Sequence, residues 1–494
     1  MHLRTACISR LALALGLAAL SGCKKEGVEL RPPVEVSAAA PRPADPEVVS
    51  LASALPQQRI LADQPGEVRV RLRIDTAKLK HSKRPPISVV LVMDTSGSMQ
   101  GKAIEHARGA ALALLDGLAD GDRLAVVTFD SQTRTLVPST TIDRDSLPAI
   151  REHIQAMQAR GTTDMASGLA AGLGEAQRGY LNEGVNRIVL LSDGMPNDDS
   201  QIAALAQQAA GMRVAVTALG LGLEYNETLL ASLAQQTGGK FHFIEDSTAV
   251  AEVFRAEVLR LERVVATDMR LTLLPGPGVA VQGVLGHSPA PAGGRGVSLS
   301  LGDLVEGGHR DLVVRLSVGA HRDGAAVELM DAVLEFQDAV AGAGALDRRV
   351  FVAATTSADK AAVQASRDRE VERQIAVAVA DAATVDAIAL ARAGQVAAAT
   401  LLIERAEPEA RQAAARLEDA ELRAQADGLV KLRKALPTLA PAASQPIQAT
   451  GGAPLRPGDA QPTAAIAAPA PAPADSPATV KRSHGRAVQR LQGE

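Results

Sequence analysis

From Ile87 to Met99 the chain reads I-S-V-V-L-V-M-D-T-S-G-S-M. A mostly apolar, valine-rich run stops at Asp94, and Ser96 and Ser98 follow at alternate positions. An apolar run of this length, closed by a polar turn containing glycine, is the pattern of a strand buried on both faces of a parallel sheet. Its polar end then falls at the carboxyl edge of a central strand, where open α/β sheets place their ligands. One carboxylate and two hydroxyls gathered there suit a hard divalent cation better than they suit packing.

The sequence on the C-terminal side continues the same rhythm. Residues 102–118 put Ile104, Ala107, Ala111, Leu114, Leu115 and Leu118 on one helical face. Buried strands are expected at 123–129, 187–193, 213–219 and 240–244, with a short polar edge strand at 133–137. Helices are expected at 200–211, 227–236 and 248–262. Repeated βα units of this kind predict a doubly wound, mainly parallel sheet with helices on both faces over 84–262.

Three separate pieces carry the chemistry: D-T-S-G-S at 94–98, G-T-T-D-M at 161–165 and L-S-D-G at 191–194. In this order they resemble the metal-ion-dependent adhesion site of von Willebrand factor type A domains. The resemblance implies a Rossmann-like α/β fold in which Ser96, Ser98 and Thr163 supply hydroxyl ligands. Asp94 and Asp193 would act largely through metal-bound waters. Thr163 is preferred to Thr162 because the family's Thr directly precedes an Asp or Asn and then an apolar residue, as in Thr163-Asp164-Met165. The implied ion is Mg²⁺, with Mn²⁺ or Ca²⁺ as alternatives. Neutral hydroxyls around such an ion leave most of its charge unquenched, so an open position attracts an external carboxylate.

The flanks read differently. Arg4 and Arg10 precede an apolar stretch at 11–20, and L-S-G-C at 20–23 resembles the lipobox of bacterial lipoproteins. That resemblance implies a signal peptide at 1–22 and a lipidated Cys23; Lys24 favours the outer membrane if the cell has two. The chain holds 2 Cys, one of them (Cys7) in the expected leader, so no intramolecular disulfide is available to the mature protein. Residues 23–58 read as a flexible tether, and 59–83 as a strand region built on the alternation of Glu67 to Ile74. Residues 263–356 read as a β-sandwich, which the strand near Val68 could complete. Residues 357–436 read as a helical hairpin, and 437–494 as a Pro/Ala-rich disordered tail with a basic end at Lys481, Arg482, Arg486 and Arg490.

Composition narrows the function classes. Among 494 residues there is no Trp, with 2 Tyr and 6 Phe, and the formal charge is −4. Stacking platforms and an overall basic field, the marks of nucleic-acid binding, are both missing from the sequence. The His residues show no paired spacing for zinc, and His106 and His153 read as exposed helix positions. Asp198 and Asp199 read as helix caps, Asp120 and Asp122 as turn residues. Asp368, Glu370 and Glu372, interleaved with Arg367, Arg369 and Arg373, read as a solvated helix face. The expected function is a membrane-anchored adhesion or assembly protein of the cell envelope, which captures an Asp or Glu of a partner protein on its metal and is not an enzyme. The alternatives are a metal-dependent hydrolase using the same residues and a passive envelope scaffold.

Overall fold

The computed structural model describes residues 44–79, 84–439 and 477–493. The expected leader, Cys23 and most of the expected tether and tail lie outside them. The described residues open with three strands, β1 (Val49–Ala54), β2 (Arg59–Leu61) and β3 (Gly66–Thr76). It then enters the α/β region: β4 (Ile87–Asp94), α1 (Lys102–Asp116), β5 (Arg123–Phe129), β6 (Thr133–Thr141), α2 (Leu147–Gln155) and α3 (Met165–Arg178). There follow β7 (Val185–Ser192), α4 (Ile202–Gly211), β8 (Ala215–Leu221), α5 (Glu227–Thr237), β9 (Phe241–Ile244) and α6 (Val250–Leu261). The strands form one sheet in the order β6-β5-β4-β7-β8-β9, parallel throughout except for β6 at the edge.

The apolar run of β4 follows from this position. Val89, Leu91 and Met93 join the cluster under α1, α2 and α6, while Val90 and Val92 join the one under α3, α4 and α5. Both faces of the strand are therefore covered, and each side chain removed from water adds about 1.5–3 kcal/mol. Close approach of α3 needs glycine: a Cβ on Gly168 would lie 2.6 Å from the Phe129 ring, and one on Gly172 2.5 Å from Val92.

After α6 the chain is all strand: β10 (Val264–Pro275), β11 (Val279–Val284), β12 (Ala290–Pro291), β13 (Val297–Val305), β14 (His309–Val318), β15 (Ala326–Asp338) and β16 (Ala345–Ser357). These combine with the N-terminal strands into two sheets, β1-β3-β14-β11 and β12-β13-β10-β15-β16-β2. Both sheets feed one apolar cluster, in which Val70, Leu72 and Ile74 of β3 meet Leu271 and Leu273 of β10. The α/β region is thus inserted between strands that pair with one another. Arg187 on β7 locks the two parts together; it is 1% exposed, and its Nη2 lies 2.6 Å from Asp303 Oδ2 on β13.

The helical region holds α7 (Lys360–Ala365), α8 (Arg369–Arg392), α9 (Val396–Leu417), α10 (Ala420–Leu439) and, after the undescribed segment, α11 (Pro477–Leu491). Several expectations need correction here. Residues 49–54 belong to β1 and not to a tether: their small side chains carry little alternation, and pairing with β3 from Val49↔Thr76 to Ala54↔Arg71 supplies the order. The hairpin is a bundle of three long helices, α8, α9 and α10, sharing one alanine- and leucine-rich core. Its second corner is made by Glu418 at φ 59, a non-glycine left-handed residue with no sequence signature. The charged face of α8 is not simply solvated. Asp368 caps the helix by accepting from the Glu370 and Val371 amides, and Arg373 bridges to Asp419 and Glu421.

The expected disordered tail is likewise wrong for 477–491, which is helical. Lys481 is buried, donating to the Tyr225 carbonyl at 2.6 Å and pairing with Glu227 at 3.1 Å, while Arg490 Nε donates to Asp381 at 2.7 Å. A basic patch read alone looks like a solvated end; its buried carboxylates come from α5 and α8, more than a hundred residues away. His106 is also not free on its helix, since its Nδ1 lies 2.7 Å from Ser247 Oγ. Asp198 accepts from the Ser200 amide within the turn, and the residue preceding α4 is Gln201, which makes no side-chain capping hydrogen bond. Asp122 is a buried anchor: it accepts from the Ile87 and Ala119 amides and pairs with Arg84 at 2.6 Å.

Candidate metal centre

Three segments converge at the carboxyl edge of the parallel sheet. Asp94 closes β4 and is 0% exposed. Its Oδ1 accepts from the Ser96 amide at 2.9 Å and its Oδ2 from the Ser192 hydroxyl at 2.7 Å, so both oxygens are fixed. Burial pushes this carboxyl above its usual range, against the hydrogen bonds from Ser96 and Ser192. The turn after β4 runs through Ser96 into a single 3₁₀ turn at Gly97–Met99, which brings Ser98 back over the strand end. Ser96 Oγ and Ser98 Oγ stand 2.9 Å apart, and the Ser98 hydroxyl donates to Asp193 Oδ1 at 2.7 Å.

The second segment is fastened to the first through the backbone, Gly97 N–H donating to the Gly161 carbonyl at 3.0 Å. Gly161 has φ +73, and a Cβ there would lie 3.1 Å from the Ser131 amide nitrogen, so the loop needs glycine. Thr163 is buried, and its hydroxyl makes no hydrogen bond with any described residue. Thr162 is exposed and its hydroxyl instead accepts from Asn197 Nδ2 at 3.1 Å. Asp164 caps α3 by accepting from the Ser167 amide at 3.1 Å.

The third segment closes the site. A Cβ on Gly194 would lie 3.2 Å from Thr163 Oγ1 and 3.6 Å from Ser98 Oγ, so a side chain there would press on both hydroxyls. Asp193 is half-buried, and its carboxyl is pushed up to about 6 by burial and by the nearby Asp94 charge, while Ser98 pulls it down. Met195, 57% exposed, stands beside it. Asp94, Ser96, Ser98 and Asp193 thus form one hydrogen-bonded chain, and Gly194 brings the Thr163 hydroxyl against it.

These residues fit a hard divalent cation. The donors are all oxygen and three are neutral hydroxyls; among the described residues one hydroxyl has no partner, and the two carboxylates, held at elevated proton affinity, bond to no cationic side chain. Among the described residues no cluster of three or more His, Cys, Asp or Glu offers a softer alternative. Ser192 was missed at the level of sequence; it directly precedes Asp193, but only the sheet shows that its hydroxyl turns onto Asp94.

Residues 88–256 match the family model of the von Willebrand factor type A domain, and the chain carries such a domain. An uncharacterized protein of Synechocystis sp. is 30% identical over 228 residues, covering 46% of this chain and 54% of that protein. Inter-alpha-trypsin inhibitor heavy chain H4 of Homo sapiens is 30% identical over 188 residues, covering 35% and 20%. The chain therefore spans about half the length of the first and a fifth of the second. A solved structure, von Willebrand factor type A from Catenulispora acidiphila, shares the fold with a TM-score of 0.62 at 21% identity, over 78% of this chain and 89% of that one.

Proposed function

We propose that this protein binds a partner protein through a divalent cation held at the carboxyl edge of the sheet, the cation capturing an Asp or Glu side chain of that partner. The observation that supports it most directly is the convergence of Ser96, Ser98 and Thr163 hydroxyls from two loops onto Asp193 and the bare Gly194. Those three hydroxyls would hold the ion, Mg²⁺ first, with Mn²⁺ or Ca²⁺ as alternatives. Asp94 and Asp193 would balance its charge and orient its waters. When bound, the ion supplies an electrophilic position for a foreign carboxylate. The chain's own part is to hold the hydroxyls rigid: Asp94 is fixed by two hydrogen bonds, and Gly97 ties one loop to the other. Met195 offers an apolar contact at the rim.

The remainder of the proposal concerns placement. Cys23 is read as a lipid attachment site that anchors the chain in the cell envelope, in the outer membrane of a two-membrane cell. The two strand sheets are read as a sandwich that carries the metal-bearing domain outward. The proposed role is binding, not turnover.

The test compares the protein in Mg²⁺ or Mn²⁺ and in EDTA, with and without Ser96→Ala and Ser98→Ala together. Expected are a metal-dependent rise in melting temperature and metal-dependent retention of the chain on a surface bearing acidic peptides, both abolished in the double variant while its circular dichroism is unchanged. Equal retention in metal and chelator refutes capture by the ion. Turnover of phosphate or ester substrates that Asp94→Ala removes would replace it with the hydrolase reading.

A further inference from the structure

A second, unassigned feature lies away from the candidate metal centre, where the α/β region, the strand sheets and the helices meet. A cleft of about 440 Å³ is lined by α5, the β11 strand and the turn after it, β13, β14, α8 and α11. That size falls in the range of small-molecule sites, about 300–1,000 Å³. Its polar lining is under-used. His484 is 0% exposed, yet among the described residues neither ring nitrogen has a hydrogen-bond partner. The Thr228 hydroxyl and Arg315 Nε are buried and likewise have no partner among the described residues. Such groups in a native fold call for an explanation, and a ligand that satisfies them is one.

The charges define what that ligand carries. Arg315 on β14 forms no ion pair among the described residues, and Arg310 lies on the same strand. Asp386 on α8 lines the same cleft, close enough to feel the Arg315 charge; burial raises its carboxyl, and that charge lowers it only partly. His484 is pushed down to about 4 by burial, with the Lys481 and Arg392 charges acting in the same sense and Glu227 against them. His287 is also brought to about 4, by burial and by Arg310. At neutral pH both imidazoles are uncharged, so the lining presents two cations and one anion, with a neutral donor and acceptor on His484.

We infer that this cleft binds a small zwitterion of the amino-acid class, its carboxylate held by Arg315 and its ammonium group by Asp386, with His484 and Thr228 hydrogen-bonding its body. A free amino acid and the terminus of a short peptide share this chemistry. The site is independent of the metal centre, so its occupancy does not require the divalent cation.

The full chain, kept in EDTA, is titrated by calorimetry and thermal shift with a panel of free amino acids, di- and tripeptides, and the two half-molecules acetate and methylamine. Expected is saturable binding of at least one zwitterion, with either half-molecule at least tenfold weaker. Arg315→Gln and Asp386→Asn should each weaken that binding by about ten- to a hundredfold, the loss expected for one charge-assisted contact. His484→Phe should weaken it less. If Arg315→Gln fails to fold, Asp386→Asn on α8 still decides the matter. Binding of free amino acids, or of peptides alone, separates the two sources and supports the inference either way. No binding by any member of the panel, or an acetate affinity equal to that of the zwitterion and unchanged by Asp386→Asn, overturns it.

Discussion

Asp193→Asn exposes the tension built into the metal centre. The Asp193 carboxyl moves from its ordinary 3.8 to about 6 in the fold, chiefly through burial. A raised acid binds its proton more tightly folded than unfolded. In chelator, therefore, the protein loses stability as pH rises from about 4 to about 6 and is level above that. At about 1.4 kcal/mol per pH unit the full effect is about 3 kcal/mol. Asp193 is only half-buried, and solvent screening reduces this to about 1–2 kcal/mol. Asn has the same shape and no charge to desolvate, so the variant should be more stable than the parent by about 1–2 kcal/mol in EDTA at pH 7.5, and level with it near pH 4. Magnesium should reverse the order: at a hundredfold excess over Kd the parent gains about 2.7 kcal/mol, and the variant gains little. Urea denaturation at the two pH values, with EDTA or Mg²⁺, reads all of these quantities. A variant less stable than the parent in EDTA at pH 7.5, or one that keeps the full magnesium gain, refutes the assignment of Asp193 as a charge held ready for a cation.

Other substitutions test the scaffold and the ligand set. Thr163→Val removes a hydroxyl that has no partner among the described residues, so stability in EDTA should stay within about 0.5 kcal/mol while the magnesium-dependent rise in melting temperature shrinks. Gly168→Ala places a Cβ 2.6 Å from the Phe129 ring and should cost about 1–3 kcal/mol by urea denaturation. Because α3 begins just after Thr163, it should also weaken Mg²⁺ binding measured by calorimetry. Asp303→Asn strands the buried Arg187 charge and should destabilise by about 3–5 kcal/mol, whereas Arg187→Met combined with Asp303→Leu should be far milder. Equal losses in the single and double variants would show that packing at this seam outweighs charge.

The sequence by itself determined the raw material of the candidate metal centre and its place. An apolar run without alternation can only be covered on both faces, which made β4 central and put Asp94 at the sheet's carboxyl edge. The order of the three motifs named the class of domain, and the residue after each Thr separated Thr163 from Thr162. Alternation at 67–74 likewise marked β3. What failed to show was whatever depends on distant partners. Helix α3 has Gly168, Gly172 and Gly174, which depress helical propensity, yet two of them are required by Phe129 and Val92 on the sheet beneath. The strand β1 and helix α11 are weak patterns ordered by β3, Glu227 and Asp381. Ser192 turns onto Asp94 only because β7 lies beside β4. Arg187 opens the run expected as a buried strand at 187–193, and nothing local shows that Asp303, on a sheet of the other region, lies 2.6 Å from it. Local sequence fixes what each segment can bury, because side-chain periodicity is a local property. Which charge meets which, and where a cleft is left between regions, is decided by contacts between residues distant in sequence, several of them more than a hundred residues apart, and these exist only once the chain has closed on itself.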